Sequence, residues 1–174
     1  MTTAATTTLP VTATLPISAT PEVVVMIGFP GAGKSTLART VFVEGAGYWY
    51  VDGDRWKTVA GMLREAGRRP GGAGQSVVFD STGVTRERRA GFVSWARTQD
   101  LPVRFIWVAT PLPVAMARNR AREKRIPDVA MYAYRKRFQI PDPVAEGADG
   151  GMVIFGADAV LEEVVGDSED EDAF

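Results

Sequence analysis

The stretch Gly28-Phe29-Pro30-Gly31-Ala32-Gly33-Lys34-Ser35-Thr36 has the spacing G-x-x-x-x-G-K-[ST], and each residue type in it has a chemical use. Glycines let successive backbone N–H groups turn inward onto phosphate oxygens. The Lys34 ammonium reaches the β- and γ-phosphates of a nucleotide, and the Ser35 hydroxyl ligates Mg²⁺. The residues from Gly28 to Thr36 are therefore the candidate ATP site, with Mg²⁺ as the expected metal.

What is done with a bound triphosphate depends on further carboxylates and cations. Asp54 follows the second strand, where a carboxylate can accept the proton of an acceptor hydroxyl; its competing use is to cap the next helix. Asp80 ends the third strand and is the expected partner of the Mg²⁺ on Ser35; its competing use is to cap a turn. Arg118 and Arg122 are one helical turn apart and suit charge stabilisation on a transferring phosphoryl group from a lid, unless they form a solvated helix face. Arg86, Arg88 and Arg89 lie beside Thr82 and suit an acceptor that carries phosphodiesters, or else are surface charge. Trp49, Tyr50 and Trp56 could form a stacking platform, although core packing is their more ordinary use.

Composition narrows the chemistry. There is no Cys and no His in the 174 residues, which excludes thiol nucleophiles, Ser-His-Asp triads, disulfides and Cys/His zinc sites. A general base must then be a carboxylate, a Lys or a Tyr. Lys and Arg number 20 against 21 Asp and Glu, and removing the five carboxylates of the last eight residues changes the net charge from −1 to +4. The folded part is expected to be mildly basic. No apolar run is long enough to span a membrane and residues 1–20 lack a signal-peptide pattern, so a soluble intracellular protein is expected.

The positioning elements follow from periodicity. Strands are expected at Val23–Ile27, Tyr48–Val51, Ser76–Asp80, Val103–Ala109 and Met152–Phe155. Helices are expected at Gly33–Glu44, Arg55–Arg68, Thr85–Thr98, Pro111–Lys124, Asp128–Phe138 and, briefly, Ala159–Val165. Alternation of strands and helices predicts an α/β fold: a parallel sheet of about five strands, helices on both faces, and an Arg-bearing helical lid. The expected organisation is a disordered leader over 1–21, a kinase domain over 22–165 and an acidic disordered tail over 166–174.

These residues resemble the polynucleotide 5′-hydroxyl kinases, specifically the kinase domain of eukaryotic polynucleotide kinase/phosphatase. The likeness runs from Pro21-Glu22-Val23 through the phosphate loop and Phe79-Asp80-Ser81-Thr82-Gly83 to Asn119-Arg120-Ala121-Arg122-Glu123, Tyr134-Arg135-Lys136-Arg137-Phe138 and Ala145-Glu146-Gly147. The resemblance implies that Asp54 activates the 5′-hydroxyl, that Lys34 and Ser35 serve the nucleotide and its metal, and that Asp80 is associated with magnesium. It also implies that Thr82 and Lys57 lie near the acceptor and that Arg118 and Arg122 grip ATP. Three departures bear on acceptor choice and lid behaviour. The family's Asn-Arg-Asp is Asp52-Gly53-Asp54 here, its D-N-T-N element is Asp80-Ser81-Thr82-Gly83, and the connection from Glu123 to Tyr132 is shorter.

The expected function is ATP-dependent phosphorylation of the 5′-hydroxyl end of DNA or RNA, with Asp54 as base, Lys34, Arg118 and Arg122 stabilising charge, and Lys57, Thr82, Arg86 and Arg89 toward the acceptor. Its partners would be 5′-hydroxyl nucleic acid ends and a ligase or phosphatase working on them, in repair or RNA processing. A 3′-phosphatase activity is not expected from a chain of this length. Two other readings stay open: a kinase of nucleosides or other small molecules, and an ATP-binding module without catalysis.

Overall fold

Near-continuous runs of β-branched and large apolar residues bury both faces of the central strands, and that pattern calls for a sheet covered on both sides. The computed structural model describes residues 15–156 and the backbone of 161–164. Its strands are β1 (Val23–Ile27), β2 (Trp49–Asp52), β3 (Val77–Asp80), β4 (Val103–Ala109), β5 (Met152–Gly156) and β6 (Leu161–Val164). They form one sheet in the order β2-β3-β1-β4-β5-β6, with β1 to β5 mutually parallel and β6 antiparallel to β5. The helices are α1 (Lys34–Leu37) with a π-helical continuation over Ala38–Glu44, α2 (Gly53–Trp56), α3 (Val59–Ala66), α4 (Arg86–Thr98), α5 (Leu112–Arg120), α6 (Asp128–Arg137) and α7 (Pro143–Glu146).

Two cores follow from the period of two along each strand. Val23, Val25, Phe79 and Phe105 face Met62 and Ala66 of α3 and Phe92 and Ala96 of α4. Val24, Met26, Val78 and Ile106 face Ala38 and Phe42. A third, smaller cluster joins Leu112, Ala115 and Met116 of α5 to Met131 of α6, with Phe29 and Ile126 against it. Because β1 is followed by β2 on one side of it, while β3 is followed by β4 on its other side, the winding reverses at β1 and a crevice opens at the strand C-termini.

Several expectations are corrected. The expected helix Arg55–Arg68 is two helices, because Lys57 adopts φ 57° and the Thr58 side chain caps α3 through the Gly61 N–H. The expected helix Pro111–Lys124 stops at Arg120: buried Asn119 donates to the Ile126 carbonyl and accepts from the Ile126 N–H, folding the chain back. The expected helix Ala159–Val165 is replaced over 161–164 by β6, which covers the otherwise open edge of β5. The sheet thus has a sixth, antiparallel strand. Of the expected leader, residues 1–14 lie outside the described residues, as does the tail at 166–174. Leu15 is buried and the Pro16 carbonyl accepts from Arg104, so residues 15 and 16 are seated on the body.

Arg104, the one charged residue of β4, is buried on the α1 face of the sheet and ion-pairs with buried Glu22. The Tyr48 hydroxyl donates to the same carboxylate at 2.7 Å. Burial and that bond push the Tyr48 phenol up to about 12. Removing one member of a buried pair leaves an uncompensated charge. Glu22→Ala should therefore destabilise the fold by about 3–5 kcal/mol in urea unfolding, and a loss under about 1 kcal/mol, the scale of an exposed pair, would contradict this role.

Candidate active site

The chain leaving β1 turns immediately into α1, and the turn is packed too tightly for a side chain at Gly28 or Gly31. A Cβ on Gly31, at φ 81°, would lie 2.4 Å from the Ala115 carbonyl of α5. The backbone closes on Lys34, which is 7% exposed and donates to the Phe29 carbonyl at 2.9 Å. Burial lowers the Lys34 pKa, while Asp80 and, less strongly, Asp54 pull it back up.

A cleft of about 1160 Å³ opens over this loop. Pro30, Gly31, Gly33, Lys34, Ser35 and Thr36 line its floor; Arg118 and Arg122 come from the lid side. Asp54, Lys57, Asp80, Thr82 and Arg88 line it from the strand-end side. A second cavity of about 490 Å³ shares Gly33, Thr36 and Arg118 and reaches Thr40, Thr110 and Phe155. Ala32 lines that second cavity, and its carbonyl accepts from Thr110 and Arg118. Gly28 and Phe29 support the loop from behind. The Gly28 N–H donates to the Thr82 carbonyl, and the Phe29 ring packs on Phe138.

The two carboxylates are in contrasting settings. Asp54 is 81% exposed and sits 3.5 Å from the Arg122 guanidinium. The helix cap is Asp52, which accepts from the Asp54 N–H, so the Asp54 carboxylate is left facing the cleft. Asp80 is buried, and its Oδ2 accepts from the Tyr50 hydroxyl at 2.5 Å. The turn after β3 is tied by Ser81 instead, whose hydroxyl accepts from the Gly83 N–H. Gly53, the position of one departure from the resembled family, has its Cβ direction 2.4 Å from the Asp80 carbonyl. A larger residue there would have to displace that strand end.

Among the arginines of α4 the expected assignment is corrected. Arg89 is fully buried and forms a two-pronged pair with Glu146, both bonds at 2.7 Å, and also donates to the Gly83 and Gln139 carbonyls. It is a brace, closed to an acceptor. Arg86 is exposed, outside the cleft lining, and 3.7 Å from Glu146. Arg88 is the one that reaches the cleft, donating to Ser81 and to the Lys57 carbonyl at 3.3 Å each. Arg118 and Arg122 both line the cleft, Arg118 donating to the Ala32 carbonyl and Arg122 lying against Asp54, although Arg122 is past the end of α5 and shares no helix face with Arg118. Tyr134 and Arg137 of α6 also line the cleft and escaped the sequence reading. Trp49 and Trp56 pack against the core. Among the described residues no three carboxylate, imidazole or thiol groups gather to hold a metal; Ser35, Asp52, Asp54 and Asp80 are among the oxygen-bearing residues that line the cleft.

A family profile described as an AAA domain matches residues 44–141, a range that begins after the phosphate loop. The chain is 34% identical over 134 residues, 72% of its length, to the bifunctional polynucleotide phosphatase/kinase of Schizosaccharomyces pombe. It spans 31% of that relative, about a third. Kti12 of Chaetomium thermophilum, solved in complex with ADP-AlF3, superimposes with TM-score 0.65 at 18% identity, covering 78% of this chain and 89% of that one. A gluconokinase from Sinorhizobium meliloti 1021 superimposes with TM-score 0.56 at 19% identity, covering 78% and 82%. At these identities the two structures speak for the fold alone, which is the P-loop kinase fold.

The Lys34 environment yields a sign that can be measured without ligand. The ¹³Cε resonance of Lys34 should titrate with a midpoint below the ordinary 10.5. Asp80→Asn should lower that midpoint further, because it removes the larger of the two carboxylate effects that oppose burial. A midpoint that rises in Asp80→Asn would contradict the assignment.

Proposed function

We propose that this chain, which belongs to the AAA-domain family of P-loop proteins, is a phosphotransferase that moves the γ-phosphate of ATP to the 5′-hydroxyl of a nucleic acid end. The carrying observation is that one cleft joins the phosphate loop around Lys34 to an exposed carboxylate, Asp54, with a guanidinium, Arg122, 3.5 Å from it. The 34% identity to a bifunctional polynucleotide phosphatase/kinase supports the choice of acceptor.

In this reading the loop N–H groups and Lys34 hold the β- and γ-phosphates, and Arg118 holds them from the lid. Asp54 accepts the proton of the acceptor hydroxyl as its oxygen forms a bond to the γ-phosphorus. The bond from that phosphorus to the β–γ bridging oxygen breaks, and ADP leaves with the electron pair. Arg122 moves from Asp54 to the γ-phosphate when nucleotide is present, which leaves the carboxylate free to take the proton. Lys57, Thr82, Arg88 and Arg137 face the acceptor, with the cations toward its phosphodiesters.

The Ser35 hydroxyl and the Asp80 carboxylate fit a magnesium ion, which keeps most of its shell as phosphate oxygen and water and so needs only one or two protein oxygens. Bound there, Mg²⁺ would neutralise charge on the β- and γ-phosphates.

Asp54→Asn separates the base from the binding site. Transfer to a 5′-hydroxyl oligonucleotide should fall about 10²–10⁴-fold, while affinity for an ATP analogue stays within about twofold. Retained transfer would remove Asp54 as the base.

A further inference from the structure

We propose that Tyr50 is a positioning residue for Asp80: its phenol fixes one carboxylate oxygen so that the other is presented to the phosphate loop. The inference rests on the reading of Asp80 as a partner of the metal–nucleotide.

The geometry starts from the sheet register. Tyr50 pairs with Val78 and Asp52 with Asp80, so Tyr50 and Asp80 project from the same face on adjacent strands, one pleat apart. A tyrosine is long enough to cover that diagonal, and its hydroxyl donates to Asp80 Oδ2 at 2.5 Å. The other side of the ring carries the Arg39 guanidinium, 4.9 Å from the centroid, which holds the phenol from the helix that follows the phosphate loop.

Lys34 shows what the phenol prevents. Its ammonium is within the electrostatic reach of Asp80, yet its hydrogen bond goes to the Phe29 carbonyl. An Asp80 carboxylate released from Tyr50 could rotate onto that ammonium and tie up both groups that a metal–nucleotide needs. Packing alone does not call for the hydroxyl, since phenylalanine would fill the same half-buried site. The oxygen is accounted for by the carboxylate it holds, as outer partners hold metal-binding side chains in other sites.

Tyr50→Phe keeps the ring against Arg39 and the sheet and removes only the tether. Calorimetric titration with the ATP analogue AMPPNP, in EDTA and then across a Mg²⁺ series, reads the tether without any turnover. Metal-free affinity should stay within about twofold of wild type, while the Mg²⁺ concentration that half-restores tight binding should rise about 10-fold or more. An unchanged Mg²⁺ requirement would overturn the inference, and so would an equal loss of affinity with and without metal, which would make Tyr50 a structural support only. A wild-type affinity indifferent to Mg²⁺ would overturn the metal reading of Asp80 itself, and this inference with it.

Discussion

A lysine, Lys34, held only 7% exposed inside a backbone loop is the constraint on which the rest of this molecule depends. Burial favours loss of the Lys34 proton, and Asp80 and Asp54 oppose that loss. Both carboxylates must therefore arrive at the same sheet end as the loop, which is what parallel β1, β2 and β3 provide. The loop in turn admits α5 to backbone contact at Gly31, and Arg118, three residues after Ala115, lands on the Ala32 carbonyl. Loop, carboxylates and lid are thus one packing problem.

Two buried arginines brace that arrangement from either side. Arg104 joins β4 to Glu22 before β1 and to the Pro16 carbonyl. Arg89 ties α4 to Glu146 of α7, to the loop at Gly83 and to Gln139 after α6. Such pairs give up hydration and add little net stability, but they allow few alternative arrangements. The Arg89 cluster matters most to the site, since the Gly83 turn and the segment after α6 share one anchor.

The phosphate loop and the strands were legible because their signals are local: a fixed spacing in one case and a short apolar run bounded by turn residues in the other. The choice among Arg86, Arg88 and Arg89 depended on Glu146, 57 residues from Arg89. A cue did exist, because Arg89 falls on the apolar stripe Phe92, Val93 and Ala96 at helical spacing. The break at Lys57 was signalled only by Thr58 as a cap, and the end of α5 by the Asn119 amide, whose partner lies seven residues on. The segment at 161–164 has helix-forming glutamates, but the open edge of β5 outweighed that preference. Tyr134 and Arg137 reached the cleft through the fold of α6 over the loop, which no local pattern encodes.

The central claim is that nucleotide and nucleic acid end meet over Lys34. The most direct measurement offers a 5′-hydroxyl oligonucleotide and a free nucleoside in one reaction with γ-labelled ATP, at low and at raised salt. Label on the oligonucleotide end, falling as salt screens the Arg88 and Arg137 contacts with its phosphates, is the result this account predicts. Label on the nucleoside alone, or nucleotide binding with no transfer to either acceptor, would contradict it.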